Sequence, residues 1–444
     1  MHTMARNWHR LLAGGVLSAF ATSPLLAQEA AAEAPKIDPG HTAWMLVSCA
    51  LVLLMTPGLA LFYGGLVRSK NVLSTMMHSM FCMGLVTVQW VVVGYSISFG
   101  DNVAGGFFGN PGQYFLLGDL TYKDVMPGYG IPVFVFVAFQ MMFAIITPAL
   151  ISGAFAERIK FGGFALFTLL WTTLVYDPIC HWVWGGGILS EGGWLGETVG
   201  AGALDFAGGT VVHISSGISA LVFAIFLGTR KGYPDRPMMP HSLVLTAFGA
   251  GVLWFGWFGF NGGSGLQSDE VAGLAFTVTH ICAATGALTW AIIEWIHRGK
   301  PTILGIATGL VAGLVCITPA AGFVEPKAAL LMGALVALIC YVSVMVVKAK
   351  LGYDDSLDAF GVHGVGGTVG AILTGVFYTV GGAEDGGAQL MAQVGATVVT
   401  IIYSVVATCI LYVLVDKTVG LRVTEEDEEA GLDVSEHGEG GYNL

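Results

Sequence analysis

The sequence predicts an all-α polytopic membrane protein with about eleven transmembrane helices. They form two inverted five-helix repeats plus a final helix. Three observations carry this expectation. Hydrophobic residues make up 55% of the chain and charged ones only 11%, against about 25% charged in soluble domains. Apolar stretches able to cross a hydrocarbon core of about 30 Å recur along the chain. Basic residues gather in alternate loops only, the pattern that topology imposes on membrane proteins. A soluble fold is excluded, and a net charge of −12 argues against a nucleic-acid partner. Glycine, 64 of 444 residues, suits a bundle whose backbones approach closely.

Arg6 and Arg10, followed by the apolar residues 11–27, read as a signal peptide cut after Ala27. The alternative is an uncleaved first helix. The transmembrane domain then covers 28–415. Its expected spans are 44–66, 75–99, 131–155, 161–184, 206–227, 242–260, 271–295, 302–317, 328–347, 360–380 and 390–415. One set of loops carries Arg68, Lys70, Arg158, Lys160, Arg230, Lys231, Arg236, Arg298, Lys300, Lys348 and Lys350. The other carries only Lys123 and Lys327, with Asp101, Asp119, Glu191, Glu197, Asp269, Glu325 and Glu384. The positive-inside rule places the basic set in the cytoplasm, the mature N-terminus outside and the polar tail, 416–444, in the cytoplasm.

The two halves echo each other. Phe62-Tyr-Gly-Gly65 closes the first span and Phe260-Asn-Gly-Gly263 the sixth, at opposite ends. Ile146-Thr-Pro-Ala149 in the third span has its counterpart in Ile317-Thr-Pro-Ala320 at the end of the eighth. His213 and His363 then occupy equivalent places on spans five and ten. Counting 1.5 Å per residue, His213 lies about 12 Å inward from Asp205, and His363 about 8 Å from Asp358 on the other side. Both approach the midplane, where inverted-repeat proteins bind solutes. An ionisable side chain is costly in lipid and usually faces a pathway; imidazole also exchanges a proton near neutral pH. A packing role would suit one such histidine better than an equivalent pair.

An outer mouth can be assembled around Phe139 and Phe143, which share a helix face, with Trp184, Phe260 and Ser264 at the outer ends of their spans. Aromatic faces attract a cation, and a serine hydroxyl accepts a hydrogen bond from an ammonium-like ion. An interfacial aromatic belt would use the same residues one at a time. Asp205 and Asp358 each precede a histidine helix and read as helix caps. The seven cysteines lack metal or redox spacing and read as small core residues. There is no phosphate-cradling loop, metal-spaced cluster or nucleophile triad in the sequence, so neither an enzyme nor a cofactor is expected.

These motifs carry a resemblance. Phe62-Tyr-Gly-Gly-Leu-Val-Arg-Ser-Lys-Asn71, Ala154-Phe-Ala-Glu-Arg158, Asp205-Phe-Ala-Gly-Gly-Thr-Val-Val-His213, Gly256-Trp-Phe-Gly-Phe-Asn261, Gly361-Val-His-Gly364 and Gly420-Leu-Arg-Val423 resemble the Amt/Mep/Rh ammonium transporter family, in particular bacterial Amt ammonia channels. The similarity runs from about Trp44 to the C-terminus. It implies an ammonium recruitment site at Phe139, Phe143, Trp184 and Ser264, and a phenyl gate at Phe143 and Phe260. It implies twin pore histidines at His213 and His363, with Asp205 an acidic residue near the mouth. Trp184 together with Ser264 looks like Amt and not Rh proteins. Ala359 departs from the larger valine of some relatives.

The resemblance also implies a homotrimer in the bacterial inner membrane, passing ammonium or ammonia and the analogue methylammonium. The acidic tail, with Gly431-Leu-Asp-Val434 and His437-Gly-Glu439, resembles a regulatory segment engaged by a cytoplasmic PII signal protein. The alternative function is an ammonium sensor that signals through such a partner.

Overall fold

The computed structural model describes residues 36–442, so the expected signal peptide lies outside the described residues. Among these, ten helices are long and apolar enough to cross a membrane: Pro39–Leu66, Ser69–Phe99, Val133–Phe155, Phe161–Trp184, Gly209–Phe226, Leu243–Gly265, Glu270–Arg298, Pro326–Leu351, Phe360–Phe377 and Gly386–Thr418. The remaining expected span is a shorter apolar helix, Ile303–Ile317. Its 15 residues reach only about 22 Å. Beyond it the chain continues without regular helix through Thr318, Ala320 and Ala321, all fully buried. Irregular backbone at membrane depth survives only where protein covers it, and here protein does. Among the described residues, strand is confined to a small hairpin after the second span, pairing Asn102 with Gly109 and Val103 with Phe108.

The two loop classes gather at opposite ends. At the acidic-loop end, backbone bonds tie Asp38 to Gly130, Ile188 to Gly106, Phe206 to Pro319 and Thr379 to Phe323. At the basic-loop end, Glu157 and Asp354 collect arginines from three separate loops. Inverted symmetry shows in the backbone too. The fourth and ninth spans each contain a π-helical turn, Thr172–Tyr176 and Ser343–Val347. So do the fifth and tenth, at Gly209–Ile214 and Phe360–Gly364.

The fifth and tenth spans cross at contact distance because both carry glycine there. A Cβ on Gly217 would lie 2.1 Å from the Gly364 nitrogen. Alanine at this crossing would drive the spans apart and move both histidine turns.

Candidate functional site

Both histidines lie within their π-helical turns, a widening of the helix that frequently marks functional sites. Their Nδ1 atoms are 3.3 Å apart and the rings stack, centroids 5.2 Å apart and planes 20° from parallel. At such a contact one Nδ1 carries the hydrogen and the other accepts it. Both residues are buried, and His213 Nε2 has no hydrogen-bond partner among the described residues.

Asp205 sets the fifth span's start. Its Oδ1 accepts from the Gly208 and Gly209 N–H groups at 2.9 and 2.6 Å, and its Oδ2 from Thr210 and Val211 at 2.8 and 3.0 Å. One carboxylate thus satisfies four donors at a helix start that would otherwise be orphaned. The turn requires glycine at 208, where φ is +109°.

The tenth span differs from the sequence expectation. Asp358 does not cap it; it adopts φ +59° and pairs with Lys348 Nζ at 2.7 Å. The cap is Asp355, accepting from the Ala359 and Phe360 N–H groups at 3.1 and 2.8 Å. The carboxylate of Asp358 is taken by Lys348, and its positive φ departs from the extended backbone of a capping residue. Asp355 stands eight residues before His363, the separation of Asp205 from His213, so that repeated spacing was the signal available in the sequence.

A narrow cavity of about 10 Å³ lies against the histidine pair, room for the centre of about one water molecule. Its other walls are apolar, including Leu59, Phe62, Ile146, Leu253 and Val311. Above His213 the rings continue. Phe260 lies 6.2 Å from it at 27°, and Phe143 covers Phe260 at 4.2 Å and 34°. Trp257 stacks beside His213 at 5.5 Å and anchors its indole on Thr318 Oγ1 at 2.9 Å. Sequence reasoning quoted Trp257 only inside a motif and gave it no role.

The expected outer residues meet at this column's mouth. Trp184 stands edge-on to Phe143 at 5.9 Å and donates its indole N–H to the Asp205 carbonyl at 2.8 Å. Ser264 donates to the Phe260 carbonyl at 2.8 Å, which leaves its oxygen lone pairs as acceptors. Phe139 is 1% exposed and packs edge-on behind Phe143 at 5.0 Å. Among the described residues no group of three or more His, Cys, Asp or Glu could hold a metal.

At the basic-loop end the tail folds onto its own chain. Its helices Glu425–Ala430 and Leu432–His437 meet the second span through reciprocal caps. Asn71 Oδ1 accepts from Leu432 N–H, while Asp433 Oδ1 accepts from Ser74 N–H, each at 2.8 Å. Asn71 Nδ2 also donates to Glu157 at 3.0 Å. Glu157 pairs with Arg230, and Arg230 with Asp354, the residue next to the cap of the tenth span. Burial pushes the Glu157 and Asp354 carboxyls up, but the arginines around them, Arg230 and Arg68 at Glu157 and Arg230 and Arg158 at Asp354, together hold both below the ordinary range. Lys231 bridges Glu429 and Glu425, which raise its ammonium to about 12.

Fold and site together define a polytopic helical membrane protein with a narrow, largely apolar cavity against a buried histidine pair. The Ammonium Transporter Family profile matches residues 43–442, and the chain belongs to that family. An ammonium transporter of Aquifex aeolicus is 50% identical over 92% of this chain and 95% of its own length. The crystal structure of Saccharomyces cerevisiae Mep2 superposes with a TM-score of 0.79 at 34% identity, covering 88% of this chain and 89% of that one. A solved structure described as a sensor Amt protein gives a TM-score of 0.82 at 30% identity, covering 90% and 98%. The chain is therefore placed among ammonium transporters and not among enzymes.

Proposed function

We propose that this chain draws ammonium to Trp184, Ser264, Phe139 and Phe143, admits it past the Phe143–Phe260 gate, where its proton passes to the imidazole pair, and conducts neutral ammonia along His213 and His363. The unbroken ring column ending on the buried imidazole pair carries this reading. A charge entering an apolar passage costs about 2.5–3.5 kcal/mol or more, and cation–π contacts of about 0.5–2 kcal/mol each offset part of that at the mouth. Asp205 acts here by holding the fifth span's first turn, since both its oxygens are occupied by backbone donors. Potassium matches the charge but can neither donate a hydrogen bond nor lose a proton. Methylammonium uptake into liposomes, with potassium as competitor, tests the reading; uptake that carries potassium equally well would reject it.

The working form we propose is a homotrimer in a bacterial cytoplasmic membrane, mature N-terminus outside, with the tail and basic loops meeting a PII protein on the inner side. Removing residues 423–444 leaves every span intact and should weaken PII-dependent inhibition of uptake. Equal inhibition of full-length and truncated forms would reject a regulatory tail. The likeness to a sensor Amt protein favours a second reading, ammonium sensing through a partner; it predicts substrate binding with negligible flux.

A further inference from the structure

The second and fourth spans carry a polar contact that the passage does not use. Asp177 is fully buried in the fourth span, immediately after its π-helical turn, and Gln89 is 4% exposed in the second, immediately before the π-helical turn Trp90–Gly94. Gln89 Nε2 donates to Asp177 Oδ2 at 2.6 Å and to Thr173 Oγ1 at 3.1 Å. Both amide hydrogens are then spent. Asp177 Oδ1 and Gln89 Oε1 are both buried and have no hydrogen-bond partner among the described residues. Two acceptors left over from one contact violate the rule that buried polar atoms are paired.

One added proton resolves both. A neutral carboxylic acid has an O–H donor, which an ionised one lacks. Placed on Oδ1, it would give this carboxyl a donor to offer Gln89 Oε1, completing a cyclic acid–amide pair with the existing Nε2–Oδ2 bond. Gly94 makes room: a Cβ there would sit 2.8 Å from Gln89 Oε1 and 3.1 Å from Asp177 Oδ2. The groups facing Asp177 are uncharged: Gln89 and Gly94 from the second span, with Ser98 beyond them. On its own helix the nearest titratable groups are Tyr176, Cys180 and His181, the last held by Ser98 O and Asn102 Oδ1. We infer that Asp177 is a proton-holding site outside the passage, where a bound proton fastens the second span to the fourth.

The test uses the full chain in lipid nanodiscs at pH about 7, well above the ordinary aspartate value of about 3.9. Infrared difference spectra of wild type minus Asp177→Asn should show the C=O stretch of a neutral carboxyl, shifting in D₂O. Asp177→Asn keeps a donor and an acceptor and should unfold within a few degrees of wild type. Asp177→Leu and Gln89→Leu should both unfold clearly earlier. Absence of the neutral-carboxyl band, or equal stability of the Asn and Leu variants, would overturn the inference. Transport should be unchanged in Asp177→Asn, which separates this outcome from any failure of the conduction reading.

Discussion

The fifth and tenth spans use one device in two settings. Each opens with an aspartate eight residues ahead of its histidine, and each places that histidine in a π-helical turn. Asp205 holds its turn through four backbone donors at the acidic-loop end. Asp355 holds its turn through two, but it adjoins Asp354, which Arg230 and Arg158 clasp. One histidine is thus fixed by local capping and the other by a cap embedded in an ion-pair network reaching the tail. The difference shows how an equivalent pair of histidines can rest on unequal supports, one a local cap and the other joined to an ion-pair network.

The histidines themselves should have the largest effect on transport, and the caps on stability. His213→Ala and His363→Ala each remove one half of the Nδ1–Nδ1 contact, and each should lower ammonium-over-potassium discrimination by more than about tenfold, about 1.4 kcal/mol in barrier. Folding should change less, because neither ring pairs with a charged group. Parallel uptake of methylammonium and potassium into liposomes measures this. Unchanged discrimination in both well-folded variants would favour a packing role. Loss from one variant only would break the symmetry at its centre.

The caps come next. Asparagine retains one accepting oxygen, so Asp205→Asn orphans two N–H groups and Asp355→Asn one. A buried orphan costs about 1–3 kcal/mol; the expected losses are about 2–6 and about 1–3 kcal/mol. Thermal unfolding in detergent compares them directly, and equal losses would erase the proposed difference between the supports.

Much of this was legible in the sequence because hydrophobic length and loop charge survive without tertiary context. The spans, the alternation of loops and the equivalence of His213 with His363 followed from those patterns. The end of the eighth span at Ile317 followed as well; the burial of the irregular segment beyond it, through Ala320 and Ala321, did not, because only the neighbouring protein shows that it is covered. The cap on the tenth span was misread because Asp358 stands nearer the helix, and proximity in sequence does not reveal a positive φ. Trp257 stood among other aromatics of one motif, so only packing singled it out. The contacts of Asn71 with Leu432 and of Asp433 with Ser74 span most of the chain and leave no local trace.

The outer mouth should respond more mildly than the histidines. Trp184→Leu with Ser264→Ala removes a ring face and an acceptor, together a few kcal/mol at most. Uptake should fall at low ammonium and recover at high concentration, a rise in KM with little change in maximal rate. Unchanged uptake at every concentration would place these residues in the interfacial belt.

The smallest effect concerns pH and the tail, and its sign follows from the carboxyls. Glu157 and Asp354 have values held below the ordinary range, so the stability they contribute is fully present above the unfolded-state values of about 3.9–4.3. It is lost only as pH falls through their lower folded values. Tail docking through Asn71 and Glu157 should therefore be level from about pH 8 to about pH 5 and weaken below about pH 4. The Lys231 pairs with Glu425 and Glu429 lie at the surface, where salt screens them. Raising salt should loosen the helix Glu425–Ala430 before the helix Leu432–His437. Hydrogen exchange at Leu432 and Glu429 distinguishes the two. Loss of Leu432 protection between pH 7 and pH 5 would show that the tail is held by some group other than this buried network.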